Sequence, residues 1–166
     1  MRGFVLGRFQ PLHNGHLKMM EWVAQRVDEL IIGLGSCNKS HVFENPFTKD
    51  ERHRMIKEAL DIKPAYSIVD LPDVGDDKLW VRNILDNVEF DVFYTNAVCE
   101  RNLLQKKVEV EEIPFFDRHI WCATNIRENI VEGLEWRNLV PPQVQKIIDE
   151  IQGVARLKRL QRKPSA

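Results

Sequence analysis

Two histidines and an arginine crowd the start of this chain. Arg8, His13 and His16 lie in the run Gly7-Arg8-Phe9-Gln10-Pro11-Leu12-His13-Asn14-Gly15-His16. A guanidinium grips an anion with a planar fork of donors. An imidazole donates one N–H or takes up a proton. His13 and His16 are three residues apart, so at a helix start they share one side. That spacing fits a helix cap, a pair of metal ligands or a phosphate site. No Cys or second His pair stands at a spacing that would complete a metal site. A cap is the plainest reading of the two histidines alone. The Gly and Pro that break the chain before them, together with Arg8, favour an anion. A helix start suits one, with free N–H groups and a partial positive charge.

The elements that must position these residues follow from the apolar pattern. Phe4-Val5-Leu6 reads as a buried strand, and Leu17, Met20, Val23, Ala24 and Val27 keep helical spacing from Gly15 to about Arg26. Leu30 to Leu34 is the next strand. Thr48-Lys49-Asp50-Glu51 has the form of a capping box, and Met55, Ile56, Ala59 and Leu60 give that helix its buried face. Tyr66 to Leu71 predicts a third strand, followed by a helix containing Leu79, Trp80, Ile84 and Leu85. Asp91 to Tyr94 is a fourth strand. Val108 to Ile113 is a fifth, its alternating charges suiting an edge. Thr124 to Glu132 is a short helix, and Pro141 opens another that Gly153 ends. The βαβαβ order predicts an α/β fold: a Rossmann-like, mostly parallel sheet with helices on both faces. Ligands bind such sheets where strands give way to helices.

Composition sets bounds. At 166 residues the chain is long enough for one domain with a real core, here residues 1–120 as the α/β part and 121–166 as a helical end. A net charge of −1 supplies no basic field for nucleic acid. No apolar run nears the roughly 20 residues that span a bilayer. No signal-peptide pattern opens the chain, and three cysteines make no disulfide framework, so a cytoplasmic setting is expected.

The run from Gly7 to His16 resembles the HxGH signature of the nucleotidyltransferase superfamily, in the wording of the archaeal-type nicotinamide-nucleotide adenylyltransferases. Gly35-Ser36, Ser40-His41, Glu44-Asn45-Pro46-Phe47-Thr48 and Glu51-Arg52 resemble that family's second block in order and spacing. So do Asp73, Leu79-Trp80-Val81 and the closing Ile148 to Val154, so the likeness runs through nearly the whole chain. The resemblance implies an enzyme that joins the AMP part of ATP to the 5′-phosphate of nicotinamide mononucleotide. The products are NAD⁺ and pyrophosphate, formed without a covalent intermediate. It implies Mg²⁺ arriving on the ATP phosphates, with no metal site of protein ligands, and a homo-oligomer that binds neither nucleic acid nor membrane.

The resemblance also assigns residues. Arg8, His13, His16 and Arg127 would be catalytic. Gly7, Phe9, Thr124 and Asn96 would join them in holding ATP. Gly35, Ser36, Phe47, Arg52, Asp73 and Trp80 would take the acceptor. Thr124 and Arg127 sit in Cys122-Ala123-Thr124-Asn125-Ile126-Arg127, where the family writes Ser-Gly-Thr-x-x-Arg or Ser-Ser-Thr-x-x-Arg. Thr124 would cap the helix and reach a phosphate, and Arg127 would neutralise the leaving pyrophosphate. Cys122 and Ala123 depart from the pattern. So does Tyr94-Thr95-Asn96-Ala97-Val98, where the family has a Ser-Gly-Asn-Pro-type turn.

Blander readings stand beside these. Trp80 would stack on a pyridinium or simply fill the core; Phe9 and Phe47 share that choice. Arg52 would bind ligand or face solvent. Gly33-Leu34-Gly35 would let the backbone approach a nucleotide, Asp76-Asp77 would be a solvated turn, and the basic tail at Arg156, Lys158, Arg159, Arg162 and Lys163 a solvent-facing helix end. The same reaction on nicotinate mononucleotide, FMN or phosphopantetheine is an alternative. A nucleotide-binding regulatory protein without turnover is another.

Overall fold

Apolar residues run unbroken through the first two strands because a parallel sheet buries both faces. The computed structural model describes residues 1–116 and 120–161. These form β1 (Arg2–Gly7), α1 (Asn14–Ala24), β2 (Glu29–Leu34), α2 (Lys49–Ala59), β3 (Ala65–Asp70) and α3 (Asp77–Asn87). Then come β4 (Val92–Tyr94), α4 (Val98–Leu104), β5 (Glu109–Glu111), α5 (Ala123–Glu132), α6 (Pro142–Glu150) and α7 (Gly153–Gln161). None of the described helices is long and apolar enough to cross a membrane. The chain divides into two compact units, each assembled from three segments.

The first unit holds Met1–Gly7, Met19–Asn38 and Ile62–Phe115. Its five strands pair in parallel in the order β3-β2-β1-β4-β5, with Phe4 opposite Ile31 and Gly7 opposite Leu34. The expected α/β fold with its parallel sheet is therefore present. On one face Phe4, Ile31 and Phe93 pack with Val81 and Ile84 of α3 and Leu104 of α4. On the other, a Cβ on Gly3 would meet Val27 at 2.7 Å, Tyr94 at 3.1 Å and Val23 of α1 at 3.2 Å. Helices thus cover both faces. The strand order reverses at β1, and in sheets of this kind ligands bind outside the carboxyl ends of the strands at such a point.

Several local expectations are corrected in this unit. The segment after β4 is not a simple turn. Thr95 donates to Glu100 at 2.8 Å and accepts from the Ala97 N–H, and α4 follows. Its seven residues are too few for a clear period. β5 is the edge strand expected, but only three residues of it pair. Asp76 is no loose turn residue either. It caps α3, accepting the Leu79 N–H at 2.8 Å. Gly33 has a packing role. A Cβ there would strike the Phe4 and Leu6 side chains at 2.8 Å, so its role is close packing of β1 against β2.

The second unit holds Arg8–Lys18, Lys39–Asp61 and the described residues from Phe116 onward. The capping box of α2 is complete: Thr48 accepts the Glu51 N–H at 3.1 Å, and Glu51 accepts the Thr48 N–H at 2.8 Å. α2 packs on α6, whose Val144, Ile147 and Ile148 are buried, and α7 packs on α5 and α6. Gly153 begins α7 rather than merely ending the helix before it. The chain turns at Gln152 (φ 54°), and a Cβ on Gly153 would press Ile148 at 2.9 Å. Arg156 is not a solvent-facing tail residue. Its guanidinium meets Glu51 through two bonds, at 2.6 and 2.9 Å, and also donates to the Pro46 carbonyl at 3.1 Å. Arg162 and Lys163 lie outside the described residues.

Burial opposes the Glu51 charge, but Arg156 and the Thr48 amide outweigh it and hold its carboxyl below the usual range. The pair's contribution is therefore present at neutral pH and is lost as pH falls below the ordinary carboxyl pKa. Arg156→Met should cost about 3 kcal/mol at pH 7, because Glu51 keeps a poorly solvated charge. Urea denaturation at pH 7 and pH 3.5 checks this, and the difference between variant and wild type should shrink at the lower pH.

Candidate active site

The start of α1 explains the histidine spacing. The first amides of a helix have no partner within it. Here the His16 N–H donates to Nδ1 of His13 at 3.2 Å, and the His13 N–H donates to Nδ1 of His16 at 3.1 Å. The exchange has the logic of a capping box, with imidazoles in place of hydroxyl and carboxylate. The rings stack with centroids 3.5 Å apart, and Phe9 sets its ring edge-on to His16 at 4.9 Å. Both Nδ1 atoms accept, so in each neutral ring the proton sits on Nε2. The cap and the anion site are thus one device: the capping atoms face inward and two Nε2–H donors remain.

Burial holds both rings neutral. It lowers the His13 pKa to about 4 and that of His16 well below the usual value, with His13 adding to the second shift. The same fold-back makes position 15 tight. A Cβ on it would lie 3.1 Å from Cε1 and Nδ1 of His13 and 3.0 Å from Cβ of Trp121.

Two buried arginines grip the loop before α1. Arg127, 3 % exposed, donates from Nη1 to the Gln10 carbonyl at 2.9 Å and from Nη2 to Thr124 Oγ1 at 3.3 Å. Its buried Nε finds no partner among the described residues. Burial and the nearby Arg8 charge lower its pKa. Arg52, fully buried, donates to the carbonyls of Thr48 (3.2 Å), Arg8 (3.0 Å) and Lys39 (3.3 Å). Gln10 clamps Phe47: its Nε2 donates to the Phe47 carbonyl at 3.1 Å and its Oε1 accepts the Phe47 N–H at 2.9 Å. Arg8 itself stays exposed, its Nη1 3.5 Å from Asn45 Oδ1.

The second unit therefore brings Arg8, Phe9, His13, His16, Thr124 and Arg127 into one constellation. One detail differs from expectation. Thr124 does not cap α5; that position falls to Cys122, which makes no side-chain cap bond. Thr124 stands in the first turn, exposed, holding Arg127 by its hydroxyl. Phe47 is fully buried, with its ring under Gly153, so it belongs to the core. Arg52 is neither a solvent residue nor aimed outward.

In the first unit, Gly7 ends β1 and accepts the Gly35 N–H at 2.8 Å, while Ser36 takes a left-handed φ of 47°. Asp73 is exposed, and the Asn38 amide bridges its main chain at 2.9 and 3.2 Å. Trp80 is half-buried against the Phe4–Phe93 cluster. Asn96 spends its amide on Ile113, donating at 2.6 Å and accepting at 2.9 Å. Sequence reasoning missed Gln10, Asn38 and Asn45. A Gln between an aromatic residue and Pro was the available signal for the first, the Glu44–Thr48 block contained Asn45 without giving it a role, and nothing local marked Asn38.

The cytidylyltransferase-like family matches residues 4–130. A nicotinamide-nucleotide adenylyltransferase of Thermococcus onnurineus is 43% identical over 164 residues, covering 96% of this chain and 88% of its own. The same enzyme of Methanothrix thermoacetophila is 39% identical over 168 residues, covering 99% of each. The fold is shared with a bifunctional NMN adenylyltransferase/ADP ribose pyrophosphatase of Francisella tularensis, at a TM-score of 0.70 and 19% identity. That match takes in 99% of this chain and 57% of the bifunctional one.

Gly15→Ala should separate stability from binding. Alanine favours the helix by up to about 1 kcal/mol, offsetting the crowding, while the His13 ring is pushed out of register. Little change in Tm with clearly weaker ATP binding is expected, by thermal scan and calorimetry. Both histidines have folded pKa values below the unfolded 6.5, so their contacts are complete above that pH; those of His13 fail as pH falls through about 4, and those of His16 only well below the ordinary value. NMR titration should find both rings neutral at pH 6; a midpoint near 6.5 for either would contradict the reciprocal pair.

Proposed function

Because this chain belongs to the cytidylyltransferase-like family and, within it, to the nicotinamide-nucleotide adenylyltransferases, we propose that it makes NAD⁺ from nicotinamide mononucleotide and Mg-ATP. The observation that carries the mechanism is the reciprocal His13–His16 pair, which leaves two neutral Nε2–H donors in one unit with Arg8 and Arg127. A 5′-phosphate oxygen of the mononucleotide attacks the α-phosphorus of ATP. The new P–O bond forms as the bond to the β-phosphate oxygen breaks, and pyrophosphate leaves with the electron pair. No side chain has to become a nucleophile, so catalysis is positioning and charge stabilisation.

His13 and His16 donate to oxygens of the transferring group and the triphosphate. As neutral donors they need no proton from solvent and do not repel the two guanidiniums. Arg8, exposed, meets the incoming phosphates. Arg127 and Thr124 take the leaving pyrophosphate, with the orphan Nε of Arg127 as a donor in reserve. Mg²⁺ enters as part of the substrate. In the first unit Gly35, Ser36, Asp73 and Trp80 receive the acceptor, Trp80 by stacking on the pyridinium, a contact worth about 0.5–2 kcal/mol. Asn96 serves the ATP side through the turn it closes. The protein acts as a cytoplasmic homo-oligomer, its assembly state measurable by light scattering.

His16→Ala should lower turnover by about 10²–10³ with the fold kept, as judged by circular dichroism. Near-normal turnover would remove His16 from the mechanism. Pyrophosphate release with Mg-ATP and a panel of acceptors tests the whole reading. Nicotinamide mononucleotide should be used well ahead of nicotinate mononucleotide, FMN and phosphopantetheine. ATP binding with no release on any of them would point to a regulatory protein instead.

A further inference from the structure

Arg52 is fully buried, and its N–H fork donates to main-chain carbonyls drawn from two segments: Arg8 in one, Lys39 and Thr48 in the other. The Arg8 carbonyl matters most. It belongs to the peptide that joins Arg8 to Phe9, and that peptide is trans. In a trans peptide the C=O and the N–H point in opposite directions. Holding the Arg8 oxygen on Arg52 therefore aims the Phe9 N–H away from Arg52.

Phe9 itself sits at φ 53°, a conformation that a bulky residue rarely adopts. Three contacts impose it: Arg52 on the carbonyl of residue 8, Arg127 on that of residue 10, and the buried Phe9 ring against His16. The peptide after Gln10 has no N–H to offer, since residue 11 is Pro. The one after Arg8 does. A guanidinium on the oxygen of that peptide also polarises it and strengthens its N–H as a donor.

We propose that Arg52 is a positioning residue for phosphate binding, acting through the Arg8–Phe9 peptide to present the Phe9 N–H to a phosphate oxygen. It touches no ligand itself. This rests on the reading of the His13–His16 constellation as a polyphosphate site, and it replaces the expectation that Arg52 contacts the acceptor.

The test uses the full-length protein, ¹⁵N-labelled and titrated with inorganic pyrophosphate. In the wild type the Phe9 amide resonance should move downfield on saturation. In Arg52→Lys and Arg52→Met that movement should shrink or vanish. The KM for Mg-ATP should rise about tenfold, the loss of one charge-assisted hydrogen bond. The KM for the mononucleotide should stay within about twofold, which a general loss of structure would not produce. A wild-type Phe9 amide that ignores pyrophosphate overturns the proposal even if neither variant folds. So does an Arg52→Lys protein with unchanged amide response and ATP KM. The outcomes also separate the two readings. A wild type that transfers AMP normally while Phe9 stays silent defeats this proposal alone. A Phe9 response that depends on Arg52, without AMP transfer to any acceptor, defeats the proposed reaction and leaves this one standing.

Discussion

Two amide protons at the start of α1, those of His13 and His16, have no carbonyl within the helix to receive them. Each goes to the imidazole of the other residue, at 3.1 and 3.2 Å. Much of the site follows from that exchange. The rings must fold back over the first turn, so they stack at 3.5 Å and leave only tight space, 3.1 Å from the His13 ring, for a Cβ on residue 15. Nδ1 is committed, so Nε2 carries the proton. His13 is buried and His16 half-buried, and desolvation keeps both rings neutral at physiological pH. A pair that looks in sequence like either a cap or a catalytic couple is both, because the two roles use opposite nitrogens of each ring.

The positive charges divide by exposure. Arg8 is open to solvent, while Arg52 and Arg127 are buried and each donates to one carbonyl of the loop, those of Arg8 and Gln10. The loop they hold is short, irregular and kept in an unfavourable backbone conformation at Phe9. Rigid framing of this kind suits a reaction in which the protein supplies position more than chemistry.

Much of this was legible in the sequence. The parallel α/β order, the capping box at Thr48–Glu51 and the strand-turn-helix setting of the HxGH run are local patterns, and local patterns survive folding. The misreadings share one cause. Arg52, Phe47 and Arg156 are settled by partners roughly a hundred residues away or on another segment, and no spacing rule reports such partners. Arg52 reads as a solvent or ligand residue because a polar position on a helix usually is one. Arg156 reads as part of a basic tail because its mate, Glu51, is 105 positions earlier. Gly33 and Gly153 look like loop punctuation but serve close contact between elements, a matter of tertiary packing. α4 was missed because seven residues do not establish a period.

The way the second unit is pieced together bears on how the protein is made. Its segments are Arg8–Lys18, Lys39–Asp61 and the residues after Phe116. The carbonyl of Gln10 is held by a guanidinium 117 positions later, and Glu51 waits for Arg156. The histidine run is synthesised long before α5 and α7, yet its scaffold is incomplete until both have been made. Contacts this distant in sequence slow folding and leave early segments without partners. A chain ending before α5 would carry the signature residues in full, with Arg52 and Phe47 to hold the loop, but without Arg127 on the Gln10 carbonyl.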